Sequence, residues 1–131
     1  MTESRILTGG CACRQLTFET RGEPKRVGLC HCMTCRKESG GPFNAFAIFP
    51  VDQVTISGEM RGWSASPDGE RCFCPICGSQ VFYKGDGNEI EVKLGAFDET
   101  NLFTPTYETW TKRREGWLHT TDLVSYPENR E

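Results

Sequence analysis

The sequence predicts an all-β domain, and three observations carry that reading. Short alternating or apolar segments recur along the chain, each bounded by Gly, Pro, Asp or Asn, as strands and their turns require. A single stretch, MTCRKESG, offers a helical turn. Eight cysteines stand in groups of two, three and three. That spacing suits metal-binding knuckles, which staple small domains with modest cores.

Taken in order, GGCAC supplies Cys11 and Cys13 at the start of the chain. RQLTFET then alternates, with Leu16 and Phe18 on one face and Gln15, Thr17 and Glu19 on the other, the pattern of a half-buried strand. CHCMTCRK places Cys30, Cys32 and Cys35. A helical turn is expected to begin at Thr34 and to end at Gly40 and Gly41. NAFAIFP, VTISGEM, QVFYKG and EIEVKLG read as further strands, rich in β-branched and aromatic residues. SASPDGE and KGDGNE read as turn clusters between them. RCFCPICG adds Cys72, Cys74 and Cys77. SYPENRE, the polar tail from about residue 125, is expected to fray.

The 131 residues are expected to form one domain, 1–131, without linker, solenoid repeat or low-complexity tract. Fifteen Lys and Arg against 18 Asp and Glu give a formal charge of -3, which offers no broad basic surface for a phosphate backbone. No nucleic acid is expected as partner. No apolar run approaches the roughly 20 residues of a membrane helix, and MTESRILTGG lacks the apolar core of a signal peptide. The expected location is therefore cytoplasmic, where reducing conditions favour thiolate–metal bonds over disulfides.

Zinc bound by thiolates is tetrahedral, with four protein ligands when structural and three when a position is open to exchange. Eight thiols can fill two closed sites, or one closed and one open site with a sulfur left over. The GGCAC pair needs two partners, and CPICG is the natural source, because Pro75 and Gly78 shape a tight turn that aims Cys74 and Cys77 at one point. Cys11, Cys13, Cys74 and Cys77 are thus the expected closed site. Cys30, Cys32 and Cys35 remain, with Cys72 either their fourth ligand or an inert buried thiol, burial being the default for a free cysteine. In an extended strand Cys72 and Cys74 would share a face. An open three-thiolate ion carries about -1 on its ligand shell, so it acidifies water poorly. Exchange of a thiol ligand, or polarisation of a small carbonyl, suits it better.

Among the other polar residues, Arg36 and Lys37 read as solvated cations or as grips for substrate carboxylates. His31, between two candidate ligands, is expected to point away from both. His119 is expected at the surface, and Asp98 is expected to cap a turn through local amides. Phe43, Phe46, Trp63, Phe82, Trp110 and Trp117 read as core. TKRREG, with Lys112, Arg113 and Arg114, is the one cationic cluster of an acidic chain, a solvated face or an attractor of an anionic thiol.

GGCAC, CHCMTCRKESGG, FCPICGSQVFY, the GAFD of GAFDE and the late tryptophan of REGWL together resemble the glutathione-dependent formaldehyde-activating enzyme family, which includes centromere protein V relatives. The resemblance spans most of the chain, from Gly9 to Leu118. It implies an Mss4-like compact β-sheet fold and two Zn2+ per chain. Cys11, Cys13, Cys74 and Cys77 match the family's structural zinc positions, and Cys30, Cys32 and Cys35 its reactive ones, where the catalytic function would lie. The implied activity is that of a carbon–sulfur lyase joining glutathione's thiol to formaldehyde. The implied partner is a small-molecule thiol or thiol–aldehyde adduct, with the oligomeric state left open. Cys72 is an extra thiol beside the usual FCxxCG motif. The alternative is a zinc-stabilised binding module without catalysis. A third reading, a methionine sulfoxide reductase of similar fold, would need an unligated nucleophilic cysteine downstream, and no cysteine follows Cys77.

Overall fold

The alternation in RQLTFET is realised with its apolar side inward: Leu16 is fully buried and Phe18 nearly so, while Gln15, Thr17 and Glu19 stay half-exposed. The computed structural model describes residues 5–85 and 87–130. The first four residues of MTESRILTGG, the Asp of KGDGNE and the last residue of SYPENRE lie outside the described residues. Along the chain the strands are β1 Ile6–Gly10, β2 Thr17–Arg21, β3 Arg26–Cys30, β4 Asn44–Pro50, β5 Val54–Ser57, β6 Arg61–Ser66, β7 Gly69–Phe73, β8 Gln80–Gly85, β9 Glu89–Lys93, β10 Tyr107–Thr109 and β11 Val124–Ser125. Helix α1, Met33–Ser39, lies between β3 and β4. The fold is all-β.

Among the described residues the strands form a smaller sheet, ordered β1-β2-β5, and a larger one, ordered β11-β10-β3-β4-β9-β8-β7-β6. The smaller sheet is antiparallel, and in the larger one β10 runs parallel to both of its neighbours. Leu16 and Phe18 fill the space between the sheets with Val27, Phe49, Phe82 and Val92. The Phe18 ring meets Phe82 and Phe97 edge-on at 5.5 and 5.1 Å, the favoured aromatic geometry. Gly9 of β1 forms an isolated antiparallel bridge to Phe97, in the segment that follows β9. A Cβ there would lie 2.3 Å from the Ala96 carbonyl oxygen and 2.4 Å from the Phe18 ring, so the close approach requires glycine. Successive β4 side chains point to opposite faces, so Ala47 and Phe49 join this core while Phe46 and Ile48 pack with Tyr107 on the far side.

Several expectations change at this level. SASPDGE is not wholly a turn: Ser66 ends β6 and Gly69 begins β7, leaving Pro67 and Asp68 to reverse the chain. Helix α1 is capped by Cys32 rather than begun at Thr34, because the Cys32 sulfur accepts the Cys35 amide at 3.3 Å. It closes as expected at Gly40, in the left-handed conformation. The tail is tied down. Its β11 pairs with β10, the Tyr126 and Glu128 carbonyls accept the Thr111 and Trp110 amides, and Trp110 Nε1 donates to Asn129 at 2.9 Å. The free edge of β10 supplies unpaired backbone groups that the tail satisfies. Trp63 and Trp117 are not core: they are 41% and 66% exposed.

Candidate metal centres

Among the described residues two sets of thiols converge, Cys11, Cys13, Cys74 and Cys77 in one and Cys30, Cys32 and Cys35 in the other, with all sulfurs of a set within 4.8 Å of one another. The first set is built by two tight turns. After β1 the chain doubles back, with the Cys11 amide on the Leu16 carbonyl at 2.8 Å and the Arg14 amide on the Cys11 carbonyl at 3.1 Å. Between β7 and β8, the Gly78 amide donates to the Cys74 carbonyl at 2.8 Å, and Gly78 takes the positive φ of 80° that the turn demands. The turns are laced together by the Ala12 amide on Ser79 Oγ at 3.0 Å.

The sulfurs of this set are fed by neutral donors. The Leu16 amide reaches Cys11 at 3.3 Å, the Ile76 amide reaches Cys74 at 3.3 Å and Gln15 Nε2 reaches Cys74 at 3.2 Å. The Ser79 hydroxyl lies 3.1 Å from Cys77. That hydroxyl, followed by the Ser79 amide, pulls the Cys77 thiol down to about 5. Burial opposes ionisation of Cys74, but amide donors including Cys77, Gln15 and Ile76 outweigh it and lower the thiol. At Cys13 a backbone bond to Gln15 favours the thiolate, while desolvation and the neighbouring sulfurs win and raise it to about 11. A tetrahedron with metal–sulfur bonds of about 2.3 Å places its sulfurs about 3.8 Å apart. Cys11–Cys13 and Cys13–Cys74 stand at 3.6 and 3.8 Å, so this set fits such an ion.

The second set comes from one short stretch: Cys30 ends β3, Cys32 caps α1 and Cys35 lies in its first turn. The Cys30 and Cys35 thiols donate to Cys32 and hold it down to about 2, while the same crowding by Cys30 and Cys32 pushes Cys35 up. One thiolate forms readily and the rest are resisted. A divalent cation relieves that repulsion, so the donor set suits a thiophilic metal.

Beside these thiols lies a buried ionic network that the sequence did not reveal. Arg71 Nη1 is 3.7 Å from Cys35 Sγ and 2.5 Å from Glu38 Oε1. Lys93 Nζ lies 2.7 Å from Glu91 Oε2 and 3.5 Å from Glu38 Oε1. The Glu38 side chain is 1% exposed. In EIEVK, charges alternating with Ile90 and Val92 look like a solvent face, yet Lys93 is buried on this side of the sheet, where Glu38 of α1 meets it. The Arg71 guanidinium also lies 5.2 Å from the centre of the Tyr83 ring.

Cys72 belongs to neither set. A register shift between Cys72 and Phe73 breaks the alternation that would have put it on the face of Cys74. Its sulfur faces Glu70, with the carbonyl at 3.8 Å, and burial, then the Glu70 carboxylate, raises it to about 11. His31 does point away from the thiols, but into a fully buried pair with Glu108 at 2.8 Å. Glu108 also accepts from Arg114 at 2.6 Å and from Thr120 and Ser125 at 2.7 Å. Burial works against its charge, and the bonds from Ser125, Thr120 and His31 overcome that and hold its carboxyl below the usual range. The TKRREG cations are largely engaged, since Arg114 serves Glu108 and Lys112 pairs with Glu128. Arg36 pairs with Glu115 at 2.6 Å, whereas Lys37 is exposed. His119 is exposed. Asp98 binds the Thr8 hydroxyl at 2.8 Å and Arg14 at 2.6 Å, across the fold rather than to local amides.

An all-β domain with one thiol set joining two distant turns and another in a single segment defines a class of small, cysteine-rich proteins whose thiol sets can each hold a metal ion. The chain belongs to one such family of enzymes: the family model described as "Glutathione-dependent formaldehyde-activating enzyme" matches residues 6–113. It is also 29% identical, over 75 residues, to the Schizosaccharomyces pombe protein "Uncharacterized lyase C29B12.13". That match covers 57% of this chain and spans about half, 55%, of the relative's length.

Proposed function

We propose that the protein is a zinc-dependent carbon–sulfur lyase-type enzyme acting on the adduct of a glutathione-type thiol with an aldehyde such as formaldehyde. Two zinc ions per chain are assigned, one structural at Cys11, Cys13, Cys74 and Cys77 and one reactive at Cys30, Cys32 and Cys35. The observation that carries this reading is the three-thiol set with no fourth cysteine beside it among the described residues, Cys72 being turned to Glu70. Family membership and the lyase-named relative support the reaction class.

In the adduct-forming direction the thiol sulfur bonds to the carbonyl carbon, and the thiol's proton ends on the former carbonyl oxygen. Bound zinc supplies a soft Lewis acid that favours the thiolate form of the substrate. Cys30, Cys32 and Cys35 hold the position on a strand end and a helix start, elements more rigid than a loop. Arg71, anchored by Glu38, sets a positive charge beside the thiolates and offsets the net -1 of a three-thiolate shell.

Elemental analysis and exchange NMR of a thiol–formaldehyde mixture test the proposal together. Two zincs in the parent, one in Cys32→Ser, two in Cys72→Ser, and exchange above the uncatalysed rate that Cys32→Ser loses are expected. A Cys32→Ser protein keeping both zincs and full exchange would sink it.

A further inference from the structure

The corner between β3 and α1 is a single residue, His31, with the β3-terminal Cys30 on one side and the helix-capping Cys32 on the other. It is pinned twice to β10: its amide donates to the Thr109 carbonyl at 3.1 Å, and its ring Nε2 lies 2.8 Å from Glu108 Oε1. A carboxylate only accepts, so Nε2 carries the proton. Both side chains are fully buried, and the second Glu108 oxygen is gripped by Arg114, Thr120 and Ser125 from the chain that follows β10. The anchor is thus held on both of its oxygens. His31 Nδ1 has no hydrogen-bond partner among the described residues. A buried carboxylate beside a half-satisfied imidazole is a poor way to stabilise a core, because well-packed apolar side chains of similar size often do as well or better. What the arrangement supplies is a fixed place for the backbone between two sulfurs.

Three thiolates within 4.8 Å of one another repel, and a segment free to relax would spread them. We infer that His31 and Glu108 are positioning residues for the three-thiol set, clamping the backbone between Cys30 and Cys32 so that the sulfurs stay converged for a thiophilic cation. The clamp acts through the main chain, since the ring nitrogen that donates is spent on Glu108 and the other has no partner. The long-range set is held by its own turns and by the Ala12–Ser79 bond, so it lies outside this clamp. The inference rests on the proposed function only in that the three-thiol set takes up a metal ion. It requires no particular substrate.

Zinc affinities of both sets, measured on the full chain by competition with a chromophoric chelator, read the clamp without any substrate. His31→Leu should weaken the second ion about 10- to 100-fold, the scale for losing a group that orients metal ligands, and leave the first unchanged. His31→Gln, whose amide N–H can still donate to the carboxylate, should recover most of that loss. Ser125→Ala loosens the same carboxylate from the side away from the thiols, so it should melt at a lower temperature by circular dichroism yet keep the parent's affinity. In cadmium NMR the resonance of the three-thiol set should shift and broaden in His31→Leu while that of the four-thiol set stays in place. Where His31→Leu alone does not fold, its combination with Glu108→Met carries the same test, because removing both partners leaves no fully buried charge unpaired. That double variant should regain stability without regaining affinity. A folded His31→Leu or double variant that holds the second ion as tightly as the parent overturns the inference, as does an equal loss in Ser125→Ala. A parent that takes up no second ion overturns it together with the proposed zinc assignment. The expected affinity loss, in a protein whose parent shows no thiol–aldehyde exchange, would sustain the clamp while ending the enzymatic reading.

Discussion

The two thiol sets differ in how far apart their residues lie in the chain and in what surrounds them. Cys11 and Cys13 meet Cys74 and Cys77 across about half of the chain, on turns that neutral amide and hydroxyl groups line. Cys30, Cys32 and Cys35 come from a single segment, and their neighbour is a buried charge, Arg71. Metal in the first set closes a long loop and so constrains the unfolded chain, while metal in the second closes almost none. Cross-linking power and chemical opportunity are thereby divided between them.

The contrast is broken most forcefully at Cys74. Cys74→Ser removes a buried thiol from the long-range set, and a structural zinc is worth about 10–16 kcal/mol in small domains. That is comparable with the whole stability of a domain, about 5–15 kcal/mol. The expected result is a chain with no cooperative thermal transition. Cys32→Ser should instead retain the transition and lose only the second ion and the exchange activity, as melting followed by circular dichroism would read. If both variants unfold alike, the division of labour is wrong.

Next in size is Arg71→Met, which strands Glu38 without its main partner. Breaking a buried pair from one side costs about 3–5 kcal/mol, and urea denaturation should place the loss near the lower end because Arg71 stays 12% exposed. Activity should fall as well, and Arg71→Lys should not restore it fully, since an ammonium cannot lie on the Tyr83 ring as a guanidinium does.

Behind the three-thiol set, Glu108 provides a pH test. Its carboxyl is lowered in the folded state, so its contribution is complete above the unfolded pKa and fades as pH falls through the folded one. Stability against urea should therefore decline through the acidic carboxylate range, and Glu108→Gln should be less stable at neutral pH with a shallower acid limb. An unchanged limb would mean that the charge of Glu108 matters little.

The smallest effect is expected at Cys72. Cys72→Ala should leave both ions bound and lower stability by about 1 kcal/mol, the scale of one small core truncation. Loss of an ion would make Cys72 a ligand and close the site that is read as open.

What was legible in the chain follows the range of the interactions. The inward face of Leu16 and Phe18, the strands at NAFAIFP and QVFYKG and the CPICG turn depend on neighbours in sequence, and local pattern exposes them. β3 carries no legible strand pattern, because Gly28 interrupts its apolar run; the Tyr107 ring occupies the space a side chain would take there, 2.7 Å from a Cβ. The sequence leaves Cys72 between two roles because a register shift carries no mark in it. Glu108 and His31 are 77 residues apart, and the Arg71–Glu38–Lys93 network draws on β7, α1 and β9. Charged residues that pair across distant elements look like any solvated face until those elements are brought together.

Cys32 holds a further consequence, since one sulfur both caps α1 and stands among the three thiols. Its lone pairs are shared between the Cys35 amide and whatever cation the set accepts, so withdrawing electron density toward a metal weakens the cap. The proton resonance of the Cys35 amide is therefore a built-in gauge of occupancy. In a titration it should move upfield as the sulfur's charge is drawn away, reporting metal loading from a single backbone signal.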